Sequence, residues 1–212
     1  MKNIRIFDTP QDIKEYILEN RIKKIGCGVQ GETYLTKDNT VLKEMHTGFI
    51  FPYDDTIITS DKFKLDSFIF PDELFIANGS IYGYSAKFFK NDVFCDMYRT
   101  EDKEIDLEKL LKARLKVIED IKVLTEVGYG IDDTVGNVLF DGEKLALIDT
   151  LGYVRDETKI EKNLRKLDLA LDIALYKINP LTDEWNMPFT NKVKLLERVN
   201  KSNKVVVKPM IK

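Results

Sequence analysis

Residues 22–45 read IKKIGCGVQGETYLTKDNTVLKEM, and the order of element types in this stretch decides the fold. Ile22 to Ile25 has the composition of a strand. Gly26, Gly28 and Gly31 then spell GxGxxG around Cys27, Val29 and Gln30, and Glu32 to Leu35 resumes as a strand. Lys37-Asp38-Asn39 is a turn signal, after which Thr40 to Met45 returns as a third strand carrying Lys43. Glycines in such a turn let backbone amides approach a phosphate with no Cβ in the way. The dinucleotide-binding use of GxGxxG needs strand, glycines and then helix, with an acid further on. Here the glycines join two strands, which argues against that fold. Taken alone, the glycines also describe a plain loop, and Lys43 an ordinary strand lysine facing water.

A second stretch carries most of the remaining chemistry. Ile131 to Asp149 reads IDDTVGNVLFDGEKLALID. Val138-Leu139-Phe140 is a short strand, Asp141-Gly142 a two-residue hairpin turn, and Lys144 to Ile148 a second strand that delivers Asp149 to its end. The hairpin is expected to place Asp132, Asn137 and Asp149 around one mouth. Two carboxylates and a carboxamide are hard oxygen donors, suited to one or two Mg²⁺ ions bridging phosphate oxygens. The blander reading has Asp132 and Asp133 capping a turn and Asp149 ending a strand.

GCGVQGETY, VLK, DDTVGN and LID, in that order, resemble the motifs of the protein-kinase-like superfamily, which includes aminoglycoside-type phosphotransferases. That family carries GxGxxGxV, a strand lysine, DxxxxN, and a metal-binding aspartate after a short hairpin. Each piece is common, but their joint occurrence in sequence order is not. The resemblance implies an α+β, bilobal, protein-kinase-like fold. Its small antiparallel β-sheet N-lobe would span residues 1–90 and its reduced, mainly helical C-lobe residues 91–212. It further implies ATP and Mg²⁺ as cofactors, with ATP between the lobes. The backbone of Gly26, Cys27, Gly28, Val29, Gln30 and Gly31 would cover the phosphates, and Lys43 would neutralise the α- and β-phosphates. Asn137 and Asp149 would hold Mg²⁺, while Asp132 would orient the acceptor hydroxyl and take its proton late. Lys43 and Asp132 are thus the expected catalytic residues.

Thr9-Pro10-Gln11-Asp12 is a helix start capped by Thr9 or Asp8, with Ile13, Tyr16 and Ile17 on one face. Residues 46–70 should contain the family's single N-lobe helix. Kinases pair the strand lysine with a helix glutamate, yet no Glu lies between His46 and Asp72. Asp54, Asp55, Asp61 or Asp66 could take its place, or Glu73 in an unusual arrangement, or the pair is absent. Leu74 to Ala77 and Ile81 to Ala86 flank Asn78-Gly79 as a hairpin, and Lys87 to Asp92 takes the position of the hinge. Asp106 to Glu126 is a helix capped by Asp106 and ended by Gly128 and Gly130. Its apolar stripe is Leu107, Leu110, Leu111, Leu115, Ile118, Ile121 and Leu124/Thr125.

Further departures mark the second half. Gly130 stands where many kinases carry histidine, and Thr134 where Ser/Thr kinases carry lysine. Gly136 is similar to the aminoglycoside-kinase style of loop, and the metal aspartate opens DTLG rather than DFG. Leu164 to Ile178 is a helix whose Asp168 resembles the aspartate that holds the catalytic loop's backbone, or is a solvated helix aspartate. The stretch between Asp149 and Asp168 lacks APE and is too short for a full peptide platform. Asn179 to Lys212 allows a short helix near Lys192 to Val199 and a basic, solvated tail.

Composition narrows the function classes. The 212 residues carry interspersed charges with a formal net charge of −3, so no basic face for nucleic acid is evident. No apolar run is long enough to span a bilayer, and the N-terminus lacks a signal peptide's apolar core. One histidine, His46, and two distant cysteines, Cys27 and Cys95, make poor material for a zinc site or a histidine-dependent triad. A reducing, cytoplasmic location is the default, with delivery as an effector into a host also compatible. The expected function is phosphotransfer by a minimal protein kinase acting on Ser, Thr or Tyr hydroxyls of a folded protein. One alternative is a small-molecule kinase, favoured by Gly136 and the truncated segment, although no acidic insertion for a cationic sugar is present. Another is a pseudokinase or nucleotide-binding interaction module, favoured by the missing Glu and by DTLG.

Overall fold

The computed structural model describes residues 3–28, 30–46, 65–90, 103–131, 136–155, 159–176 and 204–207. Contacts divide the chain into two compact units. One comprises Met1–Lys62, Ile69–Phe88 and Thr150–Gly152, the other Phe63–Phe68, Phe89–Asp149 and Tyr153–Lys212. Among the described residues the fold is mixed α+β, and no helix is long and apolar enough to cross a membrane. The segment expected to hold an N-lobe helix, the Lys192 to Val199 helix and part of the hinge segment lie outside the described residues.

The first unit is a six-stranded sheet with one helix on it. Its strands are β1 (Asn3–Ile6), β2 (Arg21–Gly28), β3 (Gly31–Thr36), β4 (Thr40–Met45), β5 (Pro71–Ala77) and β6 (Ser80–Lys87), in the order β1-β5-β6-β4-β3-β2. The expected antiparallel sheet is in fact mixed, because β1 runs parallel to β5 at the edge. Asn3 to Ile6 is too short for periodicity to reveal, and only its partner β5 defines it. Two tight reversals match the sequence signals. Asn39 turns β3 into β4 at φ 58°, and Asn78 and Gly79 turn β5 into β6 at φ 50° and 75°. Positive φ at both central residues matches the right-handed twist of a hairpin.

Helix α1 (Pro10–Asn20) begins in a capping box: Asp12 N donates to Thr9 Oγ1 at 3.3 Å, and Thr9 N donates to Asp12 Oδ2 at 2.8 Å. Its Ile13 and Ile17 pack with Tyr34, Leu42, Phe75 and Ala77 on one face of the sheet. The opposite face buries Met45, Leu74, Ile81, Tyr84, Ala86 and Leu151. Leu151 comes from the 3₁₀ turn Thr150–Gly152, tied down where Thr150 Oγ1 donates to Ile69 O at 3.2 Å.

The second unit centres on α2 (Leu107–Glu126) and α3 (Ile160–Tyr176). Asp106 caps α2 by accepting from the amides of Glu108 and Lys109, and Gly128 ends it at φ 86°. The buried stripe of α2 is Leu110, Ala113, Arg114, Val117, Asp120, Ile121 and Leu124. This rotates the expected stripe, since Leu115 is 59% exposed. Two ionisable residues, Arg114 and Asp120, hold places that an apolar count passes over. Three two-stranded pairs complete the unit: β7 (Lys103–Asp106) with β12 (Lys204–Val207), β8 (Tyr129–Gly130) with β11 (Val154–Arg155), and β9 (Val138–Phe140) with β10 (Leu145–Leu147). The tail expected in solvent therefore returns as a strand, with Val205 opposite Ile105. Its Lys-Val-Val-Val run has strong β-propensity that only a distant partner could use.

The capping box makes a simple prediction. Thr9→Ala should lower stability by about 1 kcal/mol, read from the urea midpoint. A shift near zero would mean that Ile13 and Ile17 anchor the helix start without the cap.

Candidate functional site

Strands β2 and β3 pair through Cys27↔Glu32 and Gly28↔Gly31, so the chain reverses at Val29 and Gln30. Val29 lies outside the described residues. The three glycines serve different purposes, and none needs a positive φ. A Cβ at Gly31 would lie 2.0 Å from the Glu44 carbonyl oxygen, so only glycine lets β3 approach β4 there. Gly26 meets only Thr33, at 3.5 Å, and Gly28 has nothing within 4 Å among the described residues. Those two leave a bare backbone edge, which is what an approaching anion requires. Cys27 is an exposed free thiol beside them.

Lys43 stands on β4 with 7% of its surface exposed. It shares the Met45 and Tyr84 face of the sheet, not the face covered by α1. Its Nζ donates to Gln30 Oε1 at 3.2 Å and lies 5.7 Å from the centre of the Tyr84 ring. The lysine therefore reaches the glycine turn. The suggested Lys43–Glu73 pair fails on the pleat of the sheet. Glu73 projects to the α1 face with Phe75, where it accepts from Arg5 Nε at 3.1 Å, and Arg5 stacks on Tyr16 of α1. Asp54, Asp55 and Asp61 lie outside the described residues.

Glu32, next to Gly31, is committed elsewhere. It accepts from Lys24 Nζ at 2.6 Å and from the Tyr34 hydroxyl. The Lys24 hydrogen bond, then that of Tyr34, holds the Glu32 carboxyl below its ordinary range. Burial, then the bond to Glu32, pushes the Tyr34 phenol up, and the Glu32 bond raises Lys24.

In the second unit the β9–β10 hairpin sets the spacing of two expected metal ligands. Leu147 pairs with Val138, and Ile148 N donates to Asn137 O at 2.9 Å. Asn137 and Asp149 therefore flank the same open end of one hairpin, and both are half-buried. Gly136 precedes Asn137 at φ 78°, a left-handed conformation that explains the glycine. Asp149 itself sits at φ 58°, a sparsely populated region for a residue with a side chain. At the closed end the chain reverses one residue later than expected. Asp141 Oδ1 accepts from the amides of Glu143 and Lys144, so Gly142 and Glu143 form the tip. Asp132, the expected base, lies outside the described residues. No cluster of three or more His, Cys, Asp or Glu side chains forms a metal site among the described residues.

The approach to Asp132 is described, and it contains residues the sequence reading missed. Asn163 on α3 is fully buried. Its Oδ1 accepts from Ile131 N at 3.1 Å, while its Nδ2 donates to Thr125 Oγ1 at 2.9 Å and Tyr129 O at 3.2 Å. Lys166 Nζ donates to Ile131 O. Both backbone polar groups of Ile131 are thus held by α3. Asp168, which resembles the aspartate that holds the catalytic loop, takes a bidentate pair from Arg114 of α2, Nε at 2.8 Å and the second nitrogen at 2.9 Å, and residues 132–135 of that loop lie outside the described residues. Asn163 could have been suspected as a polar residue in register with Leu167, Ala170 and Leu171. Asp120 makes a similar bond, accepting from Ser67 N at 2.8 Å.

No family model matches the chain, and no curated protein matches it either. Among solved structures, one similar to this chain is a Legionella pneumophila kinase bound to IP6, 18% identical with a TM-score of 0.46. The match covers 84% of this chain and 67% of that one.

The two kinds of glycine separate by substitution. Gly31→Ala should lower the thermal midpoint sharply or prevent folding, because β3 and β4 must part. Gly28→Ala should leave it unchanged, and an equal loss in both would contradict the distinction. Asn163→Leu should cost about 3 kcal/mol or more, since it strands two buried backbone groups and a half-buried hydroxyl, measured by urea unfolding.

Proposed function

We propose that this chain is an ATP- and Mg²⁺-dependent phosphotransferase whose acceptor is a Ser, Thr or Tyr hydroxyl of a folded protein. The observation that carries the reading is Lys43. A lysine with 7% exposure is a costly residue to keep in a sheet, and its ammonium ends at the turn between Gly28 and Gly31. A phosphate chain under bare glycine backbone is the partner such a cation suits.

In this reading the backbone around Gly26 and Gly28 covers the phosphates and Lys43 offsets their charge. The donor set at the open end of the hairpin fits Mg²⁺, since a carboxylate and a carboxamide both offer hard oxygen. Asn137 and Asp149 would hold the ion, which when bound neutralises phosphate charge. Asp132 orients the acceptor hydroxyl and receives its proton, and the fixed backbone of Ile131 supports it. Catalysis is then positioning and charge compensation rather than covalent chemistry. The short stretch between Asp149 and Asp168 favours a folded partner over an extended peptide.

Incubation of the purified chain with γ-³²P-ATP and Mg²⁺, with and without cell lysate, tests the reading. Label on protein supports it. Label in small metabolites alone would make the chain a small-molecule kinase, and nucleotide binding with no transfer a binding module. Lys43→Ala and Asp149→Ala should each abolish transfer while folding normally, and wild-type turnover in either would end the assignment. Asp132→Asn should keep nucleotide binding and lose about two to four orders of magnitude in rate, measured in single turnover.

A further inference from the structure

We propose that Gln30 is a positioning residue for nucleotide binding: its side-chain carboxamide holds the ammonium of Lys43 in place for the phosphates. This rests on the phosphotransferase reading and assigns to the Gln30 side chain a task separate from any backbone contact made by the turn.

Three observations carry it. The first is the bond itself, Lys43 Nζ to Gln30 Oε1 at 3.2 Å in a half-buried setting. The second is the mount. Gln30 O accepts from His46 N at 3.0 Å, and the adjoining Gly31 is pressed against Glu44 with no room for a Cβ. The backbone of Gln30 is therefore fixed to the far end of the strand that carries Lys43. The third is the lysine's other side, where the Tyr84 ring lies 5.7 Å away, within cation–π reach. Ring and carboxamide both restrain the tip of a long side chain rich in rotamers. Ordering it beforehand lowers the entropy lost when phosphate arrives. A carboxamide is neutral, so it orients the ammonium without cancelling the charge that phosphate needs. A carboxylate at the same place would compete with the phosphate for that charge.

The test is binding of ATP, ADP and adenosine to the full chain and to Gln30→Met, which keeps the side chain's length and removes its acceptor. ATP and ADP affinity should fall about tenfold, the scale of one hydrogen bond to a charged group, while adenosine affinity and the thermal midpoint stay unchanged. In a Lys43→Ala background, Gln30→Met should have no further effect, because it acts through the lysine. Unchanged ADP affinity in Gln30→Met, with Lys43→Ala impaired, would overturn the inference and leave the phosphotransferase reading standing. An equal loss in the Lys43→Ala background, or for adenosine, would also overturn it. Failure of the unaltered chain to bind any of the nucleotides would remove the reading and the inference together.

Discussion

Burying an ammonium in the middle of a β-sheet is the constraint that organises the first unit. Lys43 is 7% exposed on β4, so its charge has to be met by neighbouring polar groups, Gln30 among them. The pleat sends it to the face of Met45 and Tyr84, away from α1. The neighbouring strands close on β4 through glycines. A Cβ at Gly31 would meet the Glu44 carbonyl at 2.0 Å, and one at Gly83 the Lys43 carbonyl at 2.6 Å. On its own face the lysine extends to Gln30, whose Oε1 accepts from its Nζ at 3.2 Å. Glu32, Glu44 and Glu73 face the other way, where Lys24, Lys14 and Arg5 pair with them. Sheet alternation thus sends these three acids to the face opposite the lysine.

The second unit solves a different problem, how to hold irregular backbone rigidly. The turn from α2 through Tyr129 to Ile131 has polar groups that no regular ladder satisfies in full. Asn163 meets two of them from within the core while also binding the Thr125 hydroxyl, and Lys166 meets a third. A carboxamide suits that place because it donates twice and accepts at once without a charge to desolvate. Arg114 and Asp168 join α2 to α3 alongside it, each satisfying the other's charge in a two-pronged bond. Together these fix the segment that leads to Asp132. The β9–β10 hairpin independently fixes the register of Asn137 against Ile148, and so the place of Asp149.

Where local chemistry decides conformation, the sequence was legible. Thr9 with Asp12, Asn78 with Gly79, and the glycine-interrupted strands around Lys43 all fold as their residue types dictate. Where identity depends on a distant partner, it was not. The buried face of α2 includes Arg114 and Asp120, which bond to Asp168 and Ser67, partners far away in sequence that no apolar period reveals. Asn163, a buried asparagine on α3, holds the backbone at Tyr129 and Ile131 through bonds that only the packing of α3 creates. Strands β1 and β12 exist only through their pairing with β5 and β7.

What the amino-acid order determined by itself is the succession of strands, turns and helices, with Lys43 on a strand beside the glycines and Asn137 and Asp149 flanking one hairpin. These follow from backbone preferences and side-chain chemistry within a few residues. Tertiary structure decided which face each charge occupies, which polar side chains enter the core, and that Lys43 meets Gln30 instead of Glu73. Those outcomes depend on which strands become neighbours, and strand pairing is set by long-range burial that no local window contains.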